Sequence, residues 1–333
     1  MHKQGEGAGQ HAPEGGTHPG DDHAAERDQK GDQRCLPLGV LAQGHMQRVA
    51  DGAGNQIVNQ TTHFLVRHAV SIAVAFARNP MTLANIGWDL QSYSKGRFML
   101  GLGSQIKPHI TKRFSMEWSH PAARMREMIL AIRAIWDTWE NGTKLDFRGD
   151  FYTHTLMTPF FTPDAKEISP YGPPKIFLAG VGELMTEVAG EVCDGFICHG
   201  FTTEKYLREV TLPALKRGRA KAGKTMDGFE IVGPSFVVTG NNAEEMQQAA
   251  AGTRQQIAFY GSTPAYSGVL EIHGWNDLQP QLNALSKQGK WVEMGNLITD
   301  EILDAFAVVG EPERVAPELL HRYGDVIQRI SFY

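Results

Sequence analysis

A chain of 333 residues, 41% hydrophobic and 21% charged, can bury a large core, either as one α/β barrel or as two ordinary domains. Its formal net charge of −5 speaks against a nucleic-acid binder, and three scattered cysteines (Cys35, Cys193, Cys198) build no disulfide framework and suit a reducing, cytoplasmic setting. No run approaches the ~18 apolar residues of a membrane span, and no apolar signal core opens the chain, so neither a membrane partner nor secretion is expected.

The chain is uneven. Residues 1–34 contain, of the hydrophobic set, only Met1, Ala8, Ala12, Ala24 and Ala25, and Phe64 is the one aromatic residue before position 71. Such a segment cannot offset its ordering entropy by burial, so disorder is expected over 1–34. Cys35–Leu41 is a short apolar run, and residues 55–70 mix Ile57, Val58, Phe64, Leu65 and Val66 without a clear period. Many of the histidines gather here, His2, His11, His18, His23, His45, His63 and His68 among them. A metal-binding tail is one reading. Without a helical H-x3-H pair or an accompanying cysteine pair, solvated histidines and no metal site are the expectation.

From about residue 70 the pattern is regular. Ser71–Phe76 is a short apolar strand closed by Arg78-Asn79-Pro80, and Met81–Tyr93 a helix with Leu83, Ile86, Leu90 and Tyr93 at helical spacing. Phe98–Gly103 is a buried strand ending in glycines. Pro121 opens a long amphipathic helix that Asn141-Gly142 ends, with Trp136 and Trp139 facing the core. Leu145–Thr155 has the alternation of a hairpin, and residues 156–174, with five prolines, form a loop. Lys175–Ala179 and Gly195–Cys198 are strands flanking a helix at Glu183–Gly190. A helix at Thr203–Ala222, a strand at Gly228–Thr239 and a helix at Ala243–Tyr260 follow. Helices at Asn276–Gln288, Gly295–Phe306 and Glu311–Tyr323 precede a last strand, Val326–Phe332. Strands alternating with helices imply βαβ units and a parallel sheet, in a (β/α)8 barrel or a doubly wound fold. Six barrel strands are visible, two short of eight.

Three groups of residues suggest a site. Gly101-Leu-Gly103-Ser104 ends a strand where exposed backbone N–H groups and a hydroxyl can meet a ligand, or where the chain simply turns. Ala179-Gly180-Val181-Gly182 stands immediately before a helix, whose N-terminal partial positive charge favours a phosphate. His199 and Gly200, one strand later, would face the same pocket, with His199 either a donor or a packing residue. The loop residues Gln105, Lys107 and His109 are either ligand contacts or solvated. Phe114, Trp118, Phe151 and Tyr152, with Phe160 and Phe161, are candidate walls of an apolar substrate pocket. Cys193 and Cys198 have no neighbouring base and are taken as packing residues.

The ordered stretches Ser71–Met81 (SIAVAFARNPM), Thr82–Gly103 (TLANIGWDLQSYSKGRFMLGLG), Ser104–His109 (SQIKPH), Lys175–Phe196 (KIFLAGVGELMTEVAGEVCDGF) and Val308–Tyr333 resemble the luciferase-like monooxygenase superfamily, in particular its coenzyme F420-dependent oxidoreductase branch. The resemblance implies an α/β fold, a TIM-like (β/α)8 barrel of the bacterial-luciferase type, over residues 70–333. It implies a deazaflavin, F420, at the C-terminal strand ends, exchanging hydride with a small organic substrate. FMN, reduced by a separate flavin reductase and used for monooxygenation, is the alternative. It also implies a bulge with a cis peptide at Ser71–Ile72 behind the ring, and a phosphate held by the strand ends at Ala179–Gly182 and His199-Gly200. A homodimer is among the assemblies the resemblance allows.

Residues 1–69 depart from that pattern. No opening strand, amphipathic helix or second strand is legible there, and the polar or histidine residue that the family places after its second strand has no counterpart. The catalytic residue is therefore unknown, and a closing helix after the last strand is not recognisable either. The expectation is that 1–69 is a leader unlike the family, or a mis-assigned reading frame, attached to an incomplete barrel. Exposed strand edges would then make the chain poorly soluble, and a weakly active or inactive fragment becomes a third reading. Without a strongly basic cluster, a neutral or apolar substrate is favoured.

Overall fold

Phe98, Leu100 and Leu102 on one strand, and Ile176 and Leu178 on the next, alternate with Met99, Gly101, Gly103, Phe177 and Ala179. Side chains of a strand point to opposite faces in turn, so each strand offers one apolar row to a helical layer and one to the inside of the sheet. A computed structural model describes residues 68–332 and places these strands in one parallel sheet. It contains β1 (His68–Val74), β2 (Phe98–Gly103), and, after the small antiparallel hairpin β3 (Phe147–Arg148) and β4 (Thr153–His154), β5 (Lys175–Gly180), β6 (Gly195–Cys198) and β7 (Glu230–Val238). The order β1-β2-β5-β6-β7 is sequential and parallel throughout. Beyond β7 the edge is shared. β9 (Arg329–Phe332) pairs with Val232–Ser235 and the short β8 (Ala307–Val309) with Phe236–Val238. Among the described residues the outer edges of β1 and β9 take no partner, so the barrel curve is open between them. The expectations for residues 1–67, including the histidine-rich leader and its disorder, lie outside the described residues.

Helices cover the outer face. α1 (Pro80–Tyr93) begins where the Asn79 side chain accepts the Thr82 N–H at 2.8 Å, with Pro80 in the first turn. α2 (Pro121–Asn141) ends at Gly142, whose φ of 66° suits glycine. The two helices pack through Gly87, where a Cβ would stand 2.7 Å from the Trp136 ring. The Trp136 indole N–H reaches the Ala84 carbonyl at 3.0 Å, and Trp88 meets Trp139 edge-on at 5.4 Å. α3 (Glu183–Val192) and α4 (Leu212–Lys221) cross between β5, β6 and β7. α5 (Ala243–Gly261), α6 (Ser267–Glu271), α7 (Leu278–Lys287), α8 (Trp291–Asn296) and α9 (Asp300–Phe306) then form a helical layer with a core of its own, centred on Phe201, Phe236, Ile257, Leu282 and Phe306. α10 (Pro312–Tyr323) leads into β9.

Several boundaries differ from the sequence expectation: β1 runs from His68 to Val74 rather than from Ser71 to Phe76, and β9 starts at Arg329 rather than Val326. Ala75–Ala77 is a turn of 3-10 helix rather than strand, the helix expected at 203–222 contains a π turn at Leu207–Thr211, and the helix expected at 295–306 is divided in two. In the last case the hydroxyl of Thr299 accepts the Ile302 N–H and starts a new helix.

Candidate functional site

The C-terminal ends of β1, β2, β5 and β6 lie side by side, and the residues singled out above fall on them. The register of β1 against β2 passes from Val70 opposite Leu100 to Ala73 opposite Leu102, so Ser71 and Ile72 together face Gly101. That is a β-bulge, which bends the strand and turns its side chains. The Ile72 side chain then lies across Gly103, in the space a Cβ at 103 would need. Any side chain at 103 would have to displace the end of the Ile72 side chain.

Beyond Gly103 the Ser104 hydroxyl donates to the Gln105 carbonyl at 3.0 Å, and Gln105 adopts a left-handed φ of 59°. A residue with a Cβ held in that region is disfavoured by about 1 kcal/mol or more and marks a backbone shaped by its surroundings. Ser115 and His120, on the same excursion between β2 and α2, share the left-handed conformation.

At the end of β5, Gly180-Val181-Gly182 leads directly into α3, with Gly182 as its N-cap in extended conformation. A Cβ on Gly182 would meet nothing within 4 Å, and no side chain caps the first turn of the helix. Thr186 bonds back to the Gly182 carbonyl through both its N–H (3.1 Å) and its hydroxyl (3.0 Å), which fixes the first turn. The Tyr206 hydroxyl donates to the Val181 carbonyl at 3.1 Å and ties the loop to the chain after β6. A small recess nearby includes Gly180, Val181, His199 and Tyr206 in its lining.

His199 is not a cation. Burial lowers its pKa from the ordinary 6.5 to about 4, and its Nδ1 accepts the Phe201 N–H at 3.0 Å. The ring proton of the neutral imidazole therefore sits on Nε2, a donor. Tyr260 and Tyr266, at 4.7 and 5.1 Å, pack against the ring. Because the folded pKa lies below that of the unfolded chain, the unfolded chain binds the extra proton between pH 6.5 and 4. His199 thus contributes full stability above pH 6.5 and loses it as the pH falls towards 4. Chemical denaturation at pH 7 and 4.5 should show a smaller acid loss for His199→Asn, which keeps an acceptor but does not titrate, than for the unaltered chain.

Near the end of β1, Phe76 is fully buried beneath Trp118, edge-on at 5.7 Å, and beneath the Arg124 guanidinium at 4.8 Å. Arg124 Nε donates to the Tyr152 hydroxyl at 2.9 Å. The Glu127 carboxylate, one turn on, accepts the N–H groups of Asp150, Phe151 and Tyr152 at 2.6–2.8 Å, and thereby holds the β3–β4 turn against α2. Of the four principal wall residues, the structure brings Trp118 and Tyr152 together around Phe76. Phe151 stands against His120 and Phe114 against Arg113. Phe160 and Phe161 meet edge-on at 5.2 Å and are 89% and 71% exposed, while Met157 and Ile168 hold their loop to the core. Sequence reasoning missed Arg124 and Glu127, although a polar i, i+3 pair on the first turn of an amphipathic helix marks a face turned towards something other than solvent alone. The position expected to carry the catalytic residue lies outside the described residues.

Cys193 and Cys198 are buried, and burial raises both thiols, that of Cys198 to about 12. They are packing residues. No described helix is long and apolar enough to cross a membrane.

Residues 65–329 match the luciferase-like monooxygenase family. An uncharacterized protein of Mycobacterium tuberculosis is 56% identical over 78% of this chain and 76% of its own length. The 5,10-methylenetetrahydromethanopterin reductase of Archaeoglobus fulgidus is 28% identical over 75% of this chain and 68% of its own. In fold, the coenzyme F420-dependent tetrahydromethanopterin reductase of Methanopyrus kandleri aligns with a TM-score of 0.62 at 17% identity, covering 79% of this chain and 76% of that one.

Proposed function

Because the chain belongs to the luciferase-like monooxygenase family, we propose that it is an oxidoreductase that exchanges hydride between coenzyme F420 and a small organic substrate. One observation carries the reading: a bulged strand crossing a glycine (Ser71–Ile72 over Gly103) stands beside a glycine-rich helix entry whose first turn no side chain caps. A flat ring needs a backing that approaches closely, and a phosphate needs unengaged donors. The first fits Ser71, Ile72, Gly103 and Ser104, and the second fits Ala179, Gly180, Val181 and Gly182 with the α3 N-terminus. Neutral His199, held by Phe201 and caged by Tyr260 and Tyr266, offers Nε2–H to the same anion, with Gly200 giving the chain room to turn. The absence of a lysine or arginine among these residues is compatible with phosphate binding, since backbone amides and a helix terminus supply the field. The described relatives named as reductases add weight to this assignment.

When bound, the deazaflavin supplies the hydride chemistry. The chain holds its phosphate, backs its ring and shapes the substrate side with Phe76, Trp118 and Tyr152. Titrating the purified chain with F420 and with FMN, followed by absorbance and fluorescence, tests the reading. Saturable F420 binding with FMN weaker by about tenfold or more is expected. Preferential FMN binding replaces it with the monooxygenase reading, and binding of neither leaves a fragment without cofactor.

A further inference from the structure

Arg124 stands apart from the other arginines of its helix. Arg126 pairs with Glu191 at 2.6 Å and Arg133 with Asp194 at 2.8 Å, whereas Arg124 has no carboxylate partner among the described residues. Its charge is held only by neutral groups: Nε donates to the Tyr152 hydroxyl and Nη1 to the Glu117 carbonyl at 2.8 Å. The guanidinium carbon lies over two aromatic rings, 4.8 Å from the centre of Phe76 and 5.8 Å from that of Tyr152. The nearest acid on the helix, Glu127, is occupied by its three backbone bonds to the hairpin turn. Arg124 is therefore fixed in place by its faces and one edge, while both Nη2 hydrogens remain without an acceptor among the described residues.

Between β2 and α2 the exposed loop carries Lys107, Lys112 and Arg113 against one acid, Glu117, although the chain as a whole is acidic. A guanidinium held in place with Nη2 hydrogens unengaged, at the end of the strand that bears the Ser71–Ile72 bulge, suits a negatively charged group. We infer that Arg124 is an anchor for a carboxylate group, and that the substrate of this site is an organic acid whose apolar part rests on Trp118 and Tyr152. The role as substrate anchor rests on the oxidoreductase reading above, whereas the carboxylate site itself does not. It departs from the expectation of a neutral or apolar substrate, because the fold leaves the Arg124 guanidinium without a carboxylate among the described residues.

The test needs no cofactor. Benzoate and benzamide share a shape and differ in charge. Titrated into the full chain and followed by calorimetry or ligand-observed NMR, benzoate should bind about tenfold or more tightly than benzamide. Arg124→Gln should abolish that preference. The surface variant Lys112→Ala/Arg113→Ala should retain it. Equal binding of the two probes, no binding of benzoate, loss of the preference in the surface variant, or its survival in Arg124→Gln would each overturn the inference. If Arg124→Gln does not fold, the probe comparison and the surface variant still decide. Failure of F420 to bind would strike the cofactor reading and leave this result standing.

Discussion

Gly218→Ala is expected to lower the unfolding free energy by about 2–3 kcal/mol, although alanine is ordinarily the better helix former by about 1 kcal/mol. Gly218 lies in α4 where it crosses α3, and a methyl there would be driven into the Glu187 carbonyl oxygen and to 2.8 Å from the Glu191 nitrogen. Gly190 on α3 faces the reverse situation, its Cβ position overlapping the Leu215 carbonyl. The clash is backbone against Cβ on both sides, so no rotamer change relieves it and the helices must move apart. They carry Val188, Ala189 and Leu215 into the main core, and separating them opens that core. The ion pairs across the same crossing, from Arg217 to Glu183 and Glu187 and from Lys221 to Glu187, are largely exposed and compensate little. Gly252 gives the contrast. It sits in α5 with nothing within 4 Å of its Cβ position, so Gly252→Ala should raise stability by about 0.5–1 kcal/mol. Urea unfolding of the two variants should therefore show midpoints displaced in opposite directions by the same chemical change. A Gly218→Ala midpoint equal to that of the unaltered chain would refute the close crossing. The double variant Gly190→Ala/Gly218→Ala should lose less than the two single losses together, because the helices separate only once.

What the sequence discloses depends on how local the cause is. α2 is legible to the residue because Pro121, its amphipathic stripe and Gly142 all act within the helix. β2, β5 and β6 are legible because an apolar run bounded by glycine or proline is itself a local pattern. β8 is missed because Phe306-Ala307-Val308-Val309 continues a helical run, and only pairing with β7 makes it a strand. The Ser71–Ile72 bulge follows from family resemblance alone, since two residues opposing one is a property of the pair β1–β2 rather than of either segment. The site divides in the same way. The glycine entry to α3 is visible as a string of residues. The neutrality of His199 depends on Phe201, Tyr260 and Tyr266, and the isolation of Arg124 depends on what the hairpin does with Glu127. Those relations become definite only after folding.

Gly182→Asp should separate binding from stability at the proposed phosphate site. Aspartate is among the best N-cap residues and exceeds glycine there by a few tenths of a kcal/mol. The extended backbone of Gly182, with φ −73° and ψ 151°, admits a side chain without strain, and its Cβ would enter open space. Thermal unfolding should accordingly show a melting temperature equal to or slightly above that of the unaltered chain. The same carboxylate would take the helix N–H groups for itself and place a negative charge where a phosphate is proposed to sit. Removing donors and adding like charge act in the same direction, so F420 affinity should fall by about a hundredfold, near 3 kcal/mol. Gly182→Ala provides the control: it adds bulk without charge in the same open space and should bind F420 within about threefold of the unaltered chain. A variant Gly182→Asp that is stable and still binds F420 normally would move the phosphate away from α3. Loss of binding in both variants would instead indicate that the recess is too tight for any side chain. Only the split between them, alanine tolerated and aspartate refused, supports an anion held by the backbone of Gly182 and the first turn of α3.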